Sequence, residues 1–430
     1  MQHHSVIITG GGPGGLGVAA TLEGWHPRFE GDYQFPSDEV QTLARQHQES
    51  PLALDPHELL GRGHRPIEFF RMRHHPIQDA LPLDEWTLKF TKRDRVDWLM
   101  LSTDGPGGLW NKVPREQMTL GPAHWMELSH YPIKRFYEET GRKRDSNALV
   151  HRNDLVPYYQ ACAEELGLNP YIRTGMKVTN IRPADDKANA RFIVESLDES
   201  TGETTTYSCD YLIFGVGPRS APRKLSAPGA DRDYVSLAYT HPTDYPGERV
   251  LVVGGGRSAD WAAQELHDDG RAVVYTMRQQ PEAHLKLIND SQHLPYYQRW
   301  AEILSSDQER MGLLYGSNVT AFEPDGVVAI RTADGPIILQ VDHVVVEIGG
   351  DPDYELLNAF GNDLTFHAKH DNFRFQLNQL VVDQATFESI DISGLYPSGY
   401  TAQGTGLSVI GFHTGCFLIA GDILRDMGIL

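Results

Sequence analysis

Gly10-x-Gly12-x-x-Gly15 is the first pattern in this chain whose residue types and spacing could do chemistry. It follows the apolar run Val6-Ile7-Ile8 and precedes Gly17-Val18-Ala19-Ala20-Thr21-Leu22, an order that reads as strand, turn and helix. The glycines have separate tasks. One permits the tight turn, one lets a pyrophosphate reach the backbone, and one lets helix and strand pack closely. A helix that starts there aims free N–H groups and a positive dipole end at the phosphates. The plainer reading is a structural glycine turn, but the position and the context favour dinucleotide binding. An acid about twenty residues on would hold a ribose hydroxyl. Glu30 has that spacing, yet Trp25-His26-Pro27-Arg28 does not read as a buried strand. Val96-Asp97-Trp98-Leu99-Met100-Leu101 does, and it ends in Ser102-Thr103-Asp104. Asp104 is the ribose candidate, with an ordinary turn aspartate before Gly105-Pro106 as the alternative.

A second turn of the same kind follows the strand Arg249-Val250-Leu251-Val252-Val253. It reads Gly254-Gly255-Gly256-Arg257-Ser258-Ala259, and a helix-like run continues from Asp260. Gly254, Gly256, Arg257, Ser258 and Ala259 are its candidate cofactor contacts, the alanine still being small enough for close packing. The next strand, Ala272 to Thr276, ends in Met277-Arg278. An acid there would bind a ribose 2′-hydroxyl, whereas an arginine suits a 2′-phosphate. The expected nicotinamide cofactor is therefore NADPH rather than NADH. Either arginine could instead be a solvated turn residue.

The elements that must position these turns imply an α/β fold. Two further apolar strands end in glycine, Tyr211 to Gly217 and Val344 to Gly350, and the second turn lies between them. That order suggests two Rossmann-like dinucleotide-binding domains, the nicotinamide domain inserted into the flavin domain. The expected boundaries are 1–220, 221–351 and a return at 352–430. Residues 24–95, rich in Pro, His and charge, read as an insertion covering one face of the first domain. Within it, Ser37 followed by Asp38 and Glu39 fits a helix start.

A chain of 430 residues is too long for one ordinary core. Its formal net charge of -20 repels phosphate backbones, so nucleic acid and anionic membranes are poor partners. None of its 3 cysteines stands in a CxxC pair, which argues against a disulfide scaffold and a redox dithiol. The apolar run at the N-terminus is too short for a signal peptide, no apolar stretch is long enough to span a membrane, and a cytoplasmic protein is expected. His74, His75, His124 and His130 lack metal-ligand spacing, and no metal is expected. There is no GxSxG. Self-association into a homo-oligomer is left open.

Gly107-Gly108-Leu109-Trp110, just past the second strand, resembles the GGxW of class B flavoprotein monooxygenases. The resemblance implies that Gly107, Gly108 and Trp110 lie beside FAD. Val235 to Tyr245 resembles their linker fingerprint at His241 and Tyr245, but Val235 and Leu237 depart from it. A longer likeness links the chain to the oxidative-stress-induced growth inhibitor family. It covers the insertion, the block from Gly107 through Met118-Thr119-Leu120 to Trp125-Met126, and Arg152-Asn153-Asp154 with Tyr158-Tyr159. It continues through Val345-Val346-Glu347-Ile348-Gly349, Asp351-Pro352-Asp353 and Gly394-Leu395-Tyr396. Trp125 joins the FAD candidates on this ground.

Gln403-Gly404-Thr405-Gly406-Leu407 resembles the segment whose helix N-terminus meets a flavin, which adds Gly404 and Gly406. Asn289-Asp290-Ser291 resembles a nicotinamide-contacting segment of N-hydroxylases, with an exposed turn as the alternative. Asn289 and Trp110 are the catalytic candidates. By resemblance, NADPH reduces FAD, the reduced flavin reacts with O2 to give a C4a-oxygenated flavin, and one oxygen atom passes to a small-molecule substrate, at nitrogen sooner than at carbon. The asparagine that flavin-containing monooxygenases carry after GGxW is absent, the aligned stretch being Leu120-Gly121-Pro122. Two alternatives stand beside this reading: a flavin reductase without oxygen transfer, and a non-catalytic regulatory protein.

Overall fold

The computed structural model describes residues 1–30, 35, 37–74, 88–185, 190–306, 309–361, 364–370, 376–405 and 409–430. Strand β1 (Gln2–Thr9) runs into the first glycine turn and helix α1 (Pro13–Leu22). Pro13 occupies the first helical position, where its missing N–H leaves no bond unmade. Every residue of α1 from Gly14 onward is buried. A helix apolar on all sides needs neighbours on all sides, and the rest of the fold supplies them.

The insertion begins with β2 (Trp25–Phe29) and ends with β3 (Leu88–Lys92), paired antiparallel as a ribbon of their own. Trp25–Phe29 is thus a strand, contrary to the expectation above, with His26, Pro27 and Phe29 buried. Pro27 is tolerated because the ribbon has only two strands, so the missing donor breaks no central ladder. Helices α2 (Asp38–Gln46), α3 (Pro56–Gly61) and α4 (Pro66–His74) lie between the two strands. The Ser37 hydroxyl caps α2 by accepting the Val40 N–H, as its sequence signature predicts. The rings of Phe29 and Phe69 meet edge-on at 5.1 Å, and Phe35 stacks on Phe69 at 5.3 Å.

Strand β4 (Trp98–Leu101) returns beside β1, fully buried, with Val6 opposite Trp98. A small pair, β5 (Met118–Pro122) and β6 (Leu149–His151), brackets α5 (Ile133–Glu139) and leads into α6 (Arg152–Glu165). Then come β7 (Ile172–Arg173), β8 (Met176–Pro183), β9 (Phe192–Asp198) and β10 (Thr204–Phe214). The main sheet runs β7-β4-β1-β10-β9-β8. Its β7, β4, β1 and β10 are parallel, and β8, β9 and β10 form an antiparallel meander.

Strand β11 (Ala221–Pro222) leaves this sheet, and a second parallel sheet follows. It comprises β12 (Val235–Ser236), β13 (Arg249–Gly254), β14 (Ala272–Thr276), β15 (Met311–Leu314) and, later in the chain, β19 (His343–Glu347), in the order β12-β19-β13-β14-β15. Helix α7 (Arg257–Asp268) follows β13, and α8 (Pro281–Asp290) and α9 (Pro295–Ser306) fill the step from β14 to β15. An antiparallel trio, β16 (Asn318–Phe322), β17 (Val327–Thr332) and β18 (Gly335–Gln340), precedes β19. Strand β20 (Gly350–Asp351) pairs with β11, so the outgoing and returning chains run side by side. After the ribbon β21 (Phe366–His370) and β22 (Gln376–Leu380), β23 (Leu395–Pro397) adds to β10, and α10 (Val409–Asp426) closes the fold.

Helices α1 and α10 touch so closely at Gly17 that a Cβ there would lie 2.7 Å from His413 Nδ1 and 2.9 Å from Cys416 Sγ. In the second unit, Asp260 of α7 is wholly buried. Its carboxylate accepts from Tyr275 at 2.7 Å and Tyr297 at 3.0 Å, and lies 3.0 Å from His284 Nε2. Trp300 Nε1 donates to its backbone carbonyl. This polar knot ties α7, β14, α8 and α9 together. Among the described residues, no helix is long and apolar enough to cross a membrane.

Candidate functional site

The first turn divides its work among the three glycines. Gly10 has φ +101°, and a Cβ on it would lie 2.2 Å from the Gly215 carbonyl of the neighbouring strand end. A Cβ on Gly15 would lie 2.3 Å from the Gly10 carbonyl, so this position is set by packing. A Cβ on Gly12 would meet nothing within 4 Å. Gly12 therefore faces open space directly at the start of α1, whose first turn has no side-chain cap. Uncapped N–H groups with an open approach fit a dinucleotide pyrophosphate.

Gly107-Gly108 forms the other side of that opening. Gly107 donates its N–H to Gly11 O at 2.9 Å, and a Cβ on Gly108 would sit 2.8 Å from Gly12 Cα. The two glycine motifs, about a hundred residues apart, are in backbone contact. Trp110 lies in the 3-10 turn that follows, half-buried against the core of the first unit. The returning segment at Ser398 closes on the same place, since a Cβ on Gly14 would meet Ser398 Oγ at 2.8 Å. Gly404 has φ +91°, and its carbonyl accepts from Arg65; Gly406 lies outside the described residues.

Asp104 is engaged by Lys112 Nζ at 3.0 Å and by the Thr103 hydroxyl. The side chain that reaches the glycine turn at the end of β4 is Ser102, whose Oγ accepts the Gly11 N–H at 3.1 Å. Sequence reasoning passed over it while looking for an acid, although it is the first residue after the strand. Trp125 is 44% exposed, lies over Gly121 and stands edge-on to His124.

In the second turn, a Cβ on Gly254 would lie 2.4 Å from Glu347 O and 2.5 Å from Ala259 Cβ, which explains the small residues at both positions. Gly256 caps α7 without a side-chain bond. Gln279 donates to the Gly255 carbonyl, and Arg278 beside it is exposed just past the end of β14. Arg257 is buried, with Nη1 3.4 Å from the Tyr296 hydroxyl, so it is no solvated turn residue. Ser258 Oγ accepts from Arg219 at 3.3 Å, and Arg219 also pairs with the buried Glu347 at 2.8 Å. No motif had pointed to Arg219, because it comes from the crossing segment and reaches the turn only in three dimensions. Asn289 projects from the exposed side of α8 and accepts from Gln292, while His284 on the same helix faces inward.

The three cysteines are buried and form no disulfide. Burial pushes the Cys416 thiol up to about 12 and those of Cys162 and Cys209 higher still. Thiols so placed are protonated and shielded at neutral pH.

Parallel strands with glycine turns at their carboxyl ends define a dinucleotide-binding oxidoreductase fold. The chain belongs to the pyridine nucleotide-disulphide oxidoreductase family, whose profile matches residues 92–399. Along its whole length it is similar to human oxidative stress-induced growth inhibitor 1, with 22% identity over 462 residues that span 98% of this chain and 95% of that one. Among solved structures, the bacillithiol disulfide reductase of Staphylococcus aureus matches with TM-score 0.64 and 18% identity, covering 99% of both chains. The ornithine hydroxylase of Pseudomonas aeruginosa matches with TM-score 0.61 and 14% identity, also over 99% of both. At such identities these likenesses establish the fold.

Proposed function

We propose that the chain is an FAD- and NADPH-dependent monooxygenase acting on a small molecule, with FAD on the first glycine turn and NADPH on the second. The observation that carries it is the contact of Gly108 with Gly12, which joins the dinucleotide turn and the GGxW-like turn around one open face. Bound there, FAD would accept hydride from NADPH and pass electrons to O2. Gly12 admits the pyrophosphate, Gly107 and Gly108 allow close backbone approach, and Trp110 forms an apolar wall that excludes water. The buried, separate cysteines offer no thiol pair to take the electrons, which favours O2 as acceptor over a disulfide. Transfer to nitrogen is the preferred outcome, in keeping with the Asn289 segment's likeness to N-hydroxylases.

Arg278, exposed beside the second turn, would hold the 2′-phosphate of NADPH. Such a charge-assisted contact contributes roughly 1.5–3 kcal/mol, or about ten- to a hundredfold in affinity. Arg278→Ala is expected to weaken NADPH by that factor and NADH little. Binding titrations in which both nucleotides weaken equally would remove Arg278 from this role.

The function itself is tested by following electrons and oxygen together. NADPH oxidation under labelled O2, with candidate amine and thioether substrates, is expected to give product carrying one labelled atom. Trp110→Ala is expected to shift the yield toward H2O2, by several-fold, at similar NADPH consumption. If every NADPH ends as H2O2 or in another acceptor for all substrates, the protein is a reductase.

A further inference from the structure

Two side chains with no part in the reading above hold the flavin-side turn from behind. Asn111 Nδ2 donates to the carbonyls of Gly105 at 3.0 Å, Pro106 at 3.3 Å and Gly108 at 3.1 Å. Two hydrogens facing three acceptors must share at least one bond. Arg152, the first residue of α6, donates Nε to Trp110 O at 3.0 Å and Nη2 to Asn111 O at 2.7 Å. Together they take up the carbonyls of five residues between Gly105 and Asn111. The same stretch carries two left-handed glycines, at φ 109° and 54°, and leans on Gly11 and Gly12. Its own backbone supplies only the short i→i+3 bonds of a single 3-10 turn, so side chains that take up its carbonyls help to hold it.

Arg152 is also unusual in its company. Its partners are the Trp110 and Asn111 carbonyls, and among the described residues no carboxylate pairs with it. Desolvation and the nearby Arg115 both act against its charge. A guanidinium kept half-buried against such opposition has a reason to be an arginine. The planar fork explains part of it, since Nε and Nη2 reach two successive carbonyls that one ammonium could not serve equally well.

We propose that Asn111 and Arg152 are positioning residues that shape the Gly105–Asn111 turn for FAD, and that the uncompensated guanidinium adds positive charge favouring the reduced flavin. This rests on the FAD reading above. The brace fixes where the Gly107-Gly108 backbone stands relative to Gly12, and hence the width of the opening. The charge acts at longer range and depends only on the cation being present.

The test uses the full chain, reconstituted with FAD, in four forms: wild type, Asn111→Asp, Arg152→Lys and Arg152→Gln. Three quantities are read: FAD dissociation constant, flavin midpoint potential, and thermal melting of the flavin-free protein. Asn111→Asp and Arg152→Gln are expected to weaken FAD at least tenfold while melting stays near that of wild type. Arg152→Lys is expected to weaken FAD several-fold yet keep the wild-type potential, whereas Arg152→Gln lowers the potential. A purely structural arginine would not separate Lys from Gln in this way. If all three variants bind FAD within twofold of wild type, the brace is wrong. If Lys and Gln share one potential, the charge role is wrong. A variant too unstable to purify shifts the test to Arg152→Lys, whose affinity alone then decides. A wild-type chain that takes up no FAD overturns the underlying reading and this proposal with it, an outcome distinct from variants that bind as well as wild type.

Discussion

Gly12→Val is expected to give a folded protein that carries no flavin. Gly12 has φ -75° and ψ 174°, extended backbone that valine adopts readily. Its Cβ would meet no protein atom within 4 Å, so the substitution should leave the melting temperature nearly unchanged. The added isopropyl group instead fills the approach that a pyrophosphate needs. Losing the backbone contacts to two phosphates should weaken FAD by at least about a hundredfold, roughly 3 kcal/mol. The purified variant should lack the flavin absorbance of wild type, and added FAD should not restore it. Gly108→Ala makes a useful contrast. There the Cβ would lie 2.8 Å from Gly12 Cα at a positive φ, so the protein itself is strained and melting should fall with flavin content. A Gly12→Val protein as yellow as wild type would place the pyrophosphate elsewhere.

Asp260→Ala should produce the largest loss of stability of any single change in the second unit. The carboxylate is wholly buried and serves Tyr275, Tyr297 and His284 at once. Removal leaves those three buried polar groups short of a partner and opens a cavity between helices. Breaking a buried charged network in this way costs about 3–5 kcal/mol. Asp260 also sits in the first turn of α7, where the helix dipole favours its charge. Urea unfolding monitored by tryptophan fluorescence should show the drop. Hydrogen exchange should rise first in α8 and α9, which the knot ties to α7. Asp260→Asn, which keeps one acceptor oxygen, should lose less. A change below about 1 kcal/mol for the alanine variant would mean that water replaces the carboxylate without penalty.

The glycine turns were legible because they are local. A strand, a tight turn and a helix follow one another between residues 2 and 22, and Gly10 and Gly15 each answer to a backbone contact in the fold. The strand at Trp98–Leu101 was legible for the same reason, being an apolar run that ends in turn residues. Trp25–Phe29 was not, since a proline and two basic residues hide a strand that pairs only with one made sixty residues later. The buried state of Arg257 was equally hidden. A glycine-flanked arginine looks solvated until α9 brings Tyr296 over it. Ser102, Arg152 and Arg219 share a further difficulty. Each acts on a backbone or side chain far along the chain, and no short pattern records such a meeting. Asn289 is a local signal of another kind, a tripeptide whose asparagine stands on the outer side of its helix and accepts from Gln292.

The close contact of α1 with α10 bears on how the protein is made. The first glycine turn leaves the ribosome long before α10, yet the helix behind it is buried against residues some four hundred positions later. At about 5–20 residues per second, α1 waits roughly 20–80 s for the neighbour that covers it. Throughout that interval the nascent N-terminal strand and helix offer an uncovered apolar face, while the second sheet can already complete itself. Cofactor capture should therefore be among the last events of biogenesis, and ribosome-bound chains halted before α10 should hold no flavin, however much of their remaining structure has formed.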